Sequence, residues 1–187
     1  MNTCKQVVLA VTGASGACYA QRFAARAAAR DDVHLSVVMT ATARDIWRHE
    51  LGTEPSFDSR VGRLDETRFD APFCSGSAAA DVLVILPCSM GMLGRIAAGT
   101  ADDAIARMAD VQLKERRKLI LVPRESPLNL IHLRNMAALT EAGAVIAPAA
   151  PGFYNRPSDL DTLVDNFVCR LLHIAGLAEL EEQYKWQ

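Results

Sequence analysis

The stretch "QVVLAVTGASGA", residues 6–17, decides the fold. Residues 7–11 are all apolar, with no polar residue among them. An alternating pattern would describe a strand with one wet face. An unbroken apolar run describes a strand covered on both faces, as in a parallel sheet. The run stops at Thr12, Gly13, Ala14, Ser15 and Gly16, where the glycines let the backbone turn tightly, and an Ala-rich helical stretch begins at once. Strand, tight turn and helix form the repeating unit of an α/β chain.

The unit recurs. "VHLSVVM" (33–39) precedes "TATA", "DVLVILP" (81–87) precedes "CSMGM", and "KLILVP" (118–123) precedes "RESPL". A last run, "AVIAP" (144–148), leads into "AAPGFYNRP". Helix-length segments lie between them: "GACYAQRFAARAAARDD" with a polar face, amphipathic "TARDIWRHEL", and "LNLIHLRNMAALTEAG" with Gly143 as C-cap. "SDLDTLVDNFVCRLLHIAG" opens on Ser158 with Asp161 beyond it, an approximate capping box, and ends on Gly176. This alternation predicts an α/β sandwich, a parallel sheet with helices on both faces. Residues 52–80 are the least regular, and "TEPSFDSRVG" there reads as loop. With no linker, repeat or low-complexity segment, residues 1–187 read as one domain with a short C-terminal tail from about 177.

A hydrophobic fraction of 50% over 187 residues sustains one real core. A net charge of −2 gives no nucleic-acid footprint, and the dense basic run "KERRK" also suits a solvated helix end. Cys4, Cys18, Cys74, Cys88 and Cys169 are widely spaced without a C-x-x-C, which points to free thiols in a reducing compartment and away from a zinc site or a disulfide framework. The start "MNTCKQ" has no secretory apolar region, and no run approaches the roughly 18 apolar residues of a membrane span. The expectation is a soluble, cytoplasmic protein with no metal site.

In a parallel sheet, ligands bind beyond the carboxyl ends of the strands. The turns there offer residues 12–15, Thr40, residues 88–91, Arg124 with Glu125, and residues 152–154. In "TGASGA" the backbone N–H groups can cradle an anion at a helix N-terminus, although a tight turn with Ser15 as N-cap fits equally and G-x-G-x-x-G is not met. "LPCSMGMLGRIAAG" again places small residues at a helix start, suited to phosphate or a flat ring edge. Cys88 with His132 as base would make a cysteine nucleophile, while a free Cys is more often a small buried residue. Arg107, Lys114, Arg124 and Arg170 are cations in or beside apolar context, Arg170 on an otherwise core-like helix. Each alone suits a structural ion pair; converging with Tyr154 they suit a phosphorylated ligand or a departing phosphate. Glu50 and Glu125 are candidate proton handlers.

Taken together, "TGASGA", "SGS" (75–77), "LPCSMGML", "RMADVQLKERRKLILVPRESPL", "HLRNM" and "GAVIAPAAPGFYNRP" give the chain a resemblance to the UbiX-like flavin prenyltransferases, within the homo-oligomeric flavin-containing flavoproteins. The match runs from residue 6 to 175 and implies a three-layer sandwich with a parallel, flavodoxin/Rossmann-like sheet. It implies an enzyme that joins the dimethylallyl group of dimethylallyl phosphate to N5 and C6 of reduced FMN without a metal, giving prenylated FMN for a UbiD-type decarboxylase. Residue by residue, it implies that Gly13, Ala14 and Ser15 hold FMN, with Ser15 also in proton relay. Thr40, where the family usually has Ser, takes the flavin phosphate; Ser89, Met90, Gly91 and Met92 form a second FMN turn, and Arg124 contacts FMN. Lys114, Tyr154 and Arg170 grip the dimethylallyl phosphate with Arg107 nearby, and Glu50 and Glu125 are the two acids, Glu125 acting through Ser15.

The resemblance also implies a dodecamer with sites at subunit contacts. Two departures stand out: "ATA" after Thr40, where relatives often carry a lysine, and the shortened tail "LAELEEQYKWQ", in which Trp186 survives. The rival functions are an FMN-dependent cysteine-type decarboxylase, whose "PxMNxxMW" stretch is missing here, a non-catalytic FMN-binding subunit, and the cysteine hydrolase.

Overall fold

The runs become β1 (Lys5–Val11), β2 (Val33–Met39), β4 (Val82–Cys88), β5 (Lys118–Pro123) and β6 (Val145–Ile146), joined by a three-residue β3 (Gly62–Leu64) that no apolar run announces. These assignments come from a computed structural model that describes residues 4–179. Trp186 and most of the tail lie outside the described residues. All neighbouring strands pair in parallel, in the order β3-β2-β1-β4-β5-β6. The chain winds outward from β1 to β3, then returns to β1's other side with β4. The reversal opens a crevice at the carboxyl ends of β1 and β4.

β1 explains the layers. Val7, Leu9 and Val11 pack with Phe23, Trp47 and Val168, under α1 (Ala17–Ala28), α2 (Ala41–Leu51) and α6 (Leu160–Ile174). Val8 and Ala10 join Met92, Ile105 and Met108 on the other face, under α3 (Met90–Ala97), α4 (Ala104–Lys114) and α5 (Leu130–Glu141). Each central strand is apolar on both sides because both sides are core. The three layers match the expected sandwich. β3 joins through its backbone instead: a Cβ at Gly62 would stand 2.8 Å from Ser36 Oγ, so a larger residue would have to turn that hydroxyl aside.

Two helices end as their glycines predict. Gly143 (φ 102°) and Gly176 (φ 70°) adopt the left-handed conformation, and the following N–H groups, of Ala144 and Leu177, donate back to Leu139 O and Leu172 O at 2.9 Å. The start of α6 needs a correction: its N-cap is Asp159, which accepts from Thr162 N–H at 2.7 Å. The Ser158 hydroxyl is committed to Asp159 Oδ2 at 2.9 Å. Arg170 does not interrupt a core face; Val168, Cys169, Leu171 and Leu172 are buried around it while the helical period turns residue 170 to the surface. No helix among the described residues is long and apolar enough to cross a membrane.

Candidate active site

Thr12 ties the two walls of the crevice. It is 1% exposed; its N–H donates to Pro87 O at 3.2 Å and its hydroxyl donates to the same carbonyl at 2.9 Å. The same hydroxyl accepts from Ser89 N–H at 2.8 Å. One side chain therefore fixes the loop after β1 against the loop after β4. Gly13 brings the first loop against α2, since a Cβ there would meet Thr42 Cγ2 at 2.9 Å. Between these elements lies a cleft of about 390 Å³ whose wall includes Thr12, Gly13, Thr40, Thr42, Ser89 and Met92.

Two helices begin at this cleft. Thr40 caps α2 by accepting from Ala43 N–H at 3.1 Å, and Ser89 caps α3 by accepting from Met92 N–H at 3.2 Å. Each hydroxyl satisfies one orphan N–H and leaves the earlier ones, with the positive end of the helix dipole, for a ligand. Met90 and Gly91 form the first turn of α3. A Cβ at Gly91 would meet nothing within 4 Å, so this glycine answers no packing demand within the chain.

The start of α1 is different, because a carboxylate already occupies it. Glu50 accepts from Gly16 N–H at 3.0 Å and from Ala17 N–H at 2.8 Å. The N-cap is Gly16, with no side-chain cap of its own, so the reading of Ser15 as N-cap gives way. Ser15 instead bonds Glu50 through its hydroxyl. Burial pushes the Glu50 carboxyl upward, but the Ser15 hydroxyl, the two N–H groups and the Arg124 charge outweigh it and hold the group below the usual carboxylate range. Arg124 Nε also donates to Ser15 O at 3.1 Å. Ala14 lies buried in the same turn, its N–H donating to Thr12 O at 2.7 Å. Ser15, Glu50 and Arg124 thus meet at the crevice. Glu125 does not join them: it is exposed and accepts from Ser126 N–H at 3.0 Å, so the expected link between Glu125 and Ser15 is made by Glu50 instead.

The remaining expected residues lie elsewhere on the chain. α4 starts beside the cleft at Asp103 and runs to the amino edge of the sheet, where β5 begins. Lys114, its last residue, pairs with Glu115 there, beside Gly76, roughly 16 Å of helix away from the cleft. Arg107 is held midway, by Cys74 O at 3.1 Å and Asp110 at 2.5 Å. Arg170 sits near the same edge, one turn before the carbonyls of Ile174 and Gly176 that Lys118 and Lys5 cap at 2.9 and 2.5 Å. Tyr154 is half exposed and lays its ring over Gly152, where a Cβ would stand 2.5 Å from Tyr154 Cε1.

Cys88 and His132 are not a catalytic pair. Cys88 is 0% exposed and burial pushes its thiol up to about 12, whereas His132 is spent on the Asn129 capping box of α5. Sequence reasoning missed Glu66, Arg95 and Asp103, which also line the cleft. None lies in the turn directly after a strand's apolar run, so no local signal marked them.

Residues 1–171 match the profile of the Flavoprotein family. The flavin prenyltransferase UbiX of Methanothermobacter thermautotrophicus is 40% identical over 95% of this chain and 93% of its own. The chain belongs to the flavin prenyltransferase family. The crystal structure of AnUbiX (PadA1), in complex with FMN and dimethylallyl pyrophosphate, is 39% identical and superposes with a TM-score of 0.88 over 98% of this chain and 99% of that one. A dodecameric FMN-dependent UbiX-like decarboxylase from Escherichia coli O157:H7 is 35% identical, with a TM-score of 0.89 over 97% and 99% of the two chains. The family's parallel sheet and strand-end crevice are those described above.

Proposed function

We propose that the chain joins the dimethylallyl group of dimethylallyl phosphate to N5 and C6 of reduced FMN, yielding prenylated FMN. The carrying observation is Glu50, bonded to Ser15, held below the usual carboxylate range with the Arg124 charge as one cause, in the turn that follows Thr12 and Gly13 of the cleft wall. The residues fit FMN. Two helix N-termini, those of α2 and α3, suit its phosphate. Gly13 is needed for the close approach of loop and helix, and Arg124 supplies a planar cation at the other end. Bound reduced FMN supplies the nucleophilic N5 and C6 atoms.

The chain's residues do the rest. Gly13, Ala14, Thr40, Ser89, Met90, Gly91 and Met92 hold the flavin. Glu50 is a proton acceptor at its carboxylate oxygens, and Ser15 Oγ carries protons to and from it. Lys114, Arg170 and the Tyr154 hydroxyl, with Arg107 beside them, grip the prenyl phosphate and neutralise the charge it gains on departure. Holding the allyl group in place supplies much of the acceleration. Glu125, exposed at the same strand end, is a second acid that could pass a proton through Ser15.

A single chain does not gather these groups, because Lys114 and Arg170 stand near the edge of the sheet opposite the cleft. We infer a homo-oligomer, dodecameric as in the relative from E. coli O157:H7, in which one copy's Lys114 enters a neighbour's cleft. The exposed face of α5 supports this: Leu130 (58%), Ile131 (67%) and Leu133 (48%) lie open. The product would serve a UbiD-type decarboxylase, and the five free cysteines suit a reducing cytoplasm.

The test is anaerobic incubation with reduced FMN and dimethylallyl phosphate, followed by the mass of the released flavin. A gain of one C5 unit, lost in Glu50→Gln, is expected. An unchanged flavin despite tight FMN binding would favour the non-catalytic subunit.

A further inference from the structure

One cation on the cleft wall has no part in the scheme above. Arg95, on the last turn of α3, is the cation among the described residues that line the cleft; Asp102 and Asp103 pair with it, and Glu66 is on the same wall. At first sight such a wall repels a phosphate. The hydrogen bonds show otherwise. Glu66 is paired with Arg44 at 3.4 Å. Asp103 uses Oδ1 to cap α4 through Ala106 N–H at 2.7 Å and Oδ2 to hold Arg95 at 2.8 Å. Asp102 holds the same arginine at 2.6 Å.

The decisive detail is which nitrogen the aspartates take. Both ion pairs fall on Nη1 alone. Nη2 approaches only the Met92 thioether, at 3.7 Å, a weak acceptor, and Met92 is itself on the cleft wall. The Nε–Nη2 edge is therefore free of carboxylate. That edge is the planar fork that takes two oxygens of a phosphate at once. Asp102 and Asp103 orient the guanidinium from behind without consuming it. The same cleft holds the capped starts of α2 and α3, whose N–H groups also suit an anion but carry only part of a charge.

We propose that Arg95 is a flavin-phosphate receptor, and that its fork, aimed by Asp102 and Asp103, makes the cleft select a flavin bearing a terminal phosphate monoester over the uncharged riboflavin. The assignment rests on the flavin prenyltransferase reading of the cleft. Its role is selectivity for the phosphate end; the ring end belongs to Ser15, Glu50 and Arg124.

The experiment measures the affinities of the full-length protein for FMN and for riboflavin by flavin fluorescence, for the unsubstituted chain, Arg95→Met and Arg95→Lys. The unsubstituted chain should prefer FMN. Arg95→Met should weaken FMN by about 10- to 100-fold, the size of a lost charge-assisted pair, and leave riboflavin within about twofold. Arg95→Lys, which keeps the charge but not the fork, should fall between. Equal weakening of both flavins would mean that Arg95 only braces the α3–α4 corner, and no change in either would mean that it faces no phosphate; each overturns the assignment. If the unsubstituted chain bound neither flavin, the flavin reading itself would fall, and this assignment with it.

Discussion

The two ends of β5 make opposite kinds of site. At its carboxyl end, Arg124 meets Ser15 and, through charge, Glu50, while Thr12, Thr40 and Ser89 are already tied by bonds within one chain. At its amino end, half-exposed Lys114 pairs with the neighbouring Glu115, away from the cleft that Thr12, Thr40 and Ser89 line. On the proposed reading, the flavin half of the site is finished on folding and the prenyl-phosphate half waits for another copy. A six-residue strand, roughly 20 Å long, separates the two.

Mixed oligomers test that division most severely. Glu50→Gln and Lys114→Ala chains should each be inactive alone. Co-expressed, they should recover about a quarter of full C5 transfer, because a random quarter of clefts pairs an intact Glu50 with a neighbour's intact Lys114. No recovery would place Lys114 in its own chain's cleft and dissolve the contrast.

A smaller effect follows from pH. Glu50's folded pKa lies below its unfolded value. Its interactions therefore stabilise the fold above the unfolded value, and that contribution is lost as pH falls through the folded one. The turnover profile should show an acid limb below the ordinary carboxylate range, about tenfold per pH unit. A limb near neutrality would mean that Glu50 is protonated at rest.

The smallest effect is on stability. Thr12→Val keeps the shape but strips Pro87 O and Ser89 N–H of a partner, which should cost about 1–3 kcal/mol in denaturant unfolding and loosen FMN binding. Unchanged stability would show that the crevice walls hold without Thr12.

What the sequence made legible follows the same line. Strands β1, β4 and β5 were readable because burial on both faces leaves an unbroken apolar run, and β2 because Val, Leu and Met dominate it despite exposed His34 and half-buried Ser36. β3 was not, because "GRL" joins by backbone pairing. Glycine C-caps were readable, since only a left-handed turn needs them there. The Asp159 cap was not separable from Ser158, because both residue types can cap. Of the site, the flavin-side turns announced themselves as strand ends. Arg95 and the Glu50 seat on α1 did not, because both depend on helices meeting at angles that no local pattern encodes. The run "KERRKLILVPRE" reads as one site in sequence; in space it serves two places.

Cys88 carries a last consequence. Stray reduced flavin makes hydrogen peroxide with oxygen, and a thiolate beside it would be consumed. The thiol at the end of β4 is sealed from solvent and stays protonated far above physiological pH. Oxidation needs thiolate and access, and this sulfur offers neither. The floor under the Ser89 turn is thus oxidation-resistant, which suits an enzyme whose own substrate generates the oxidant.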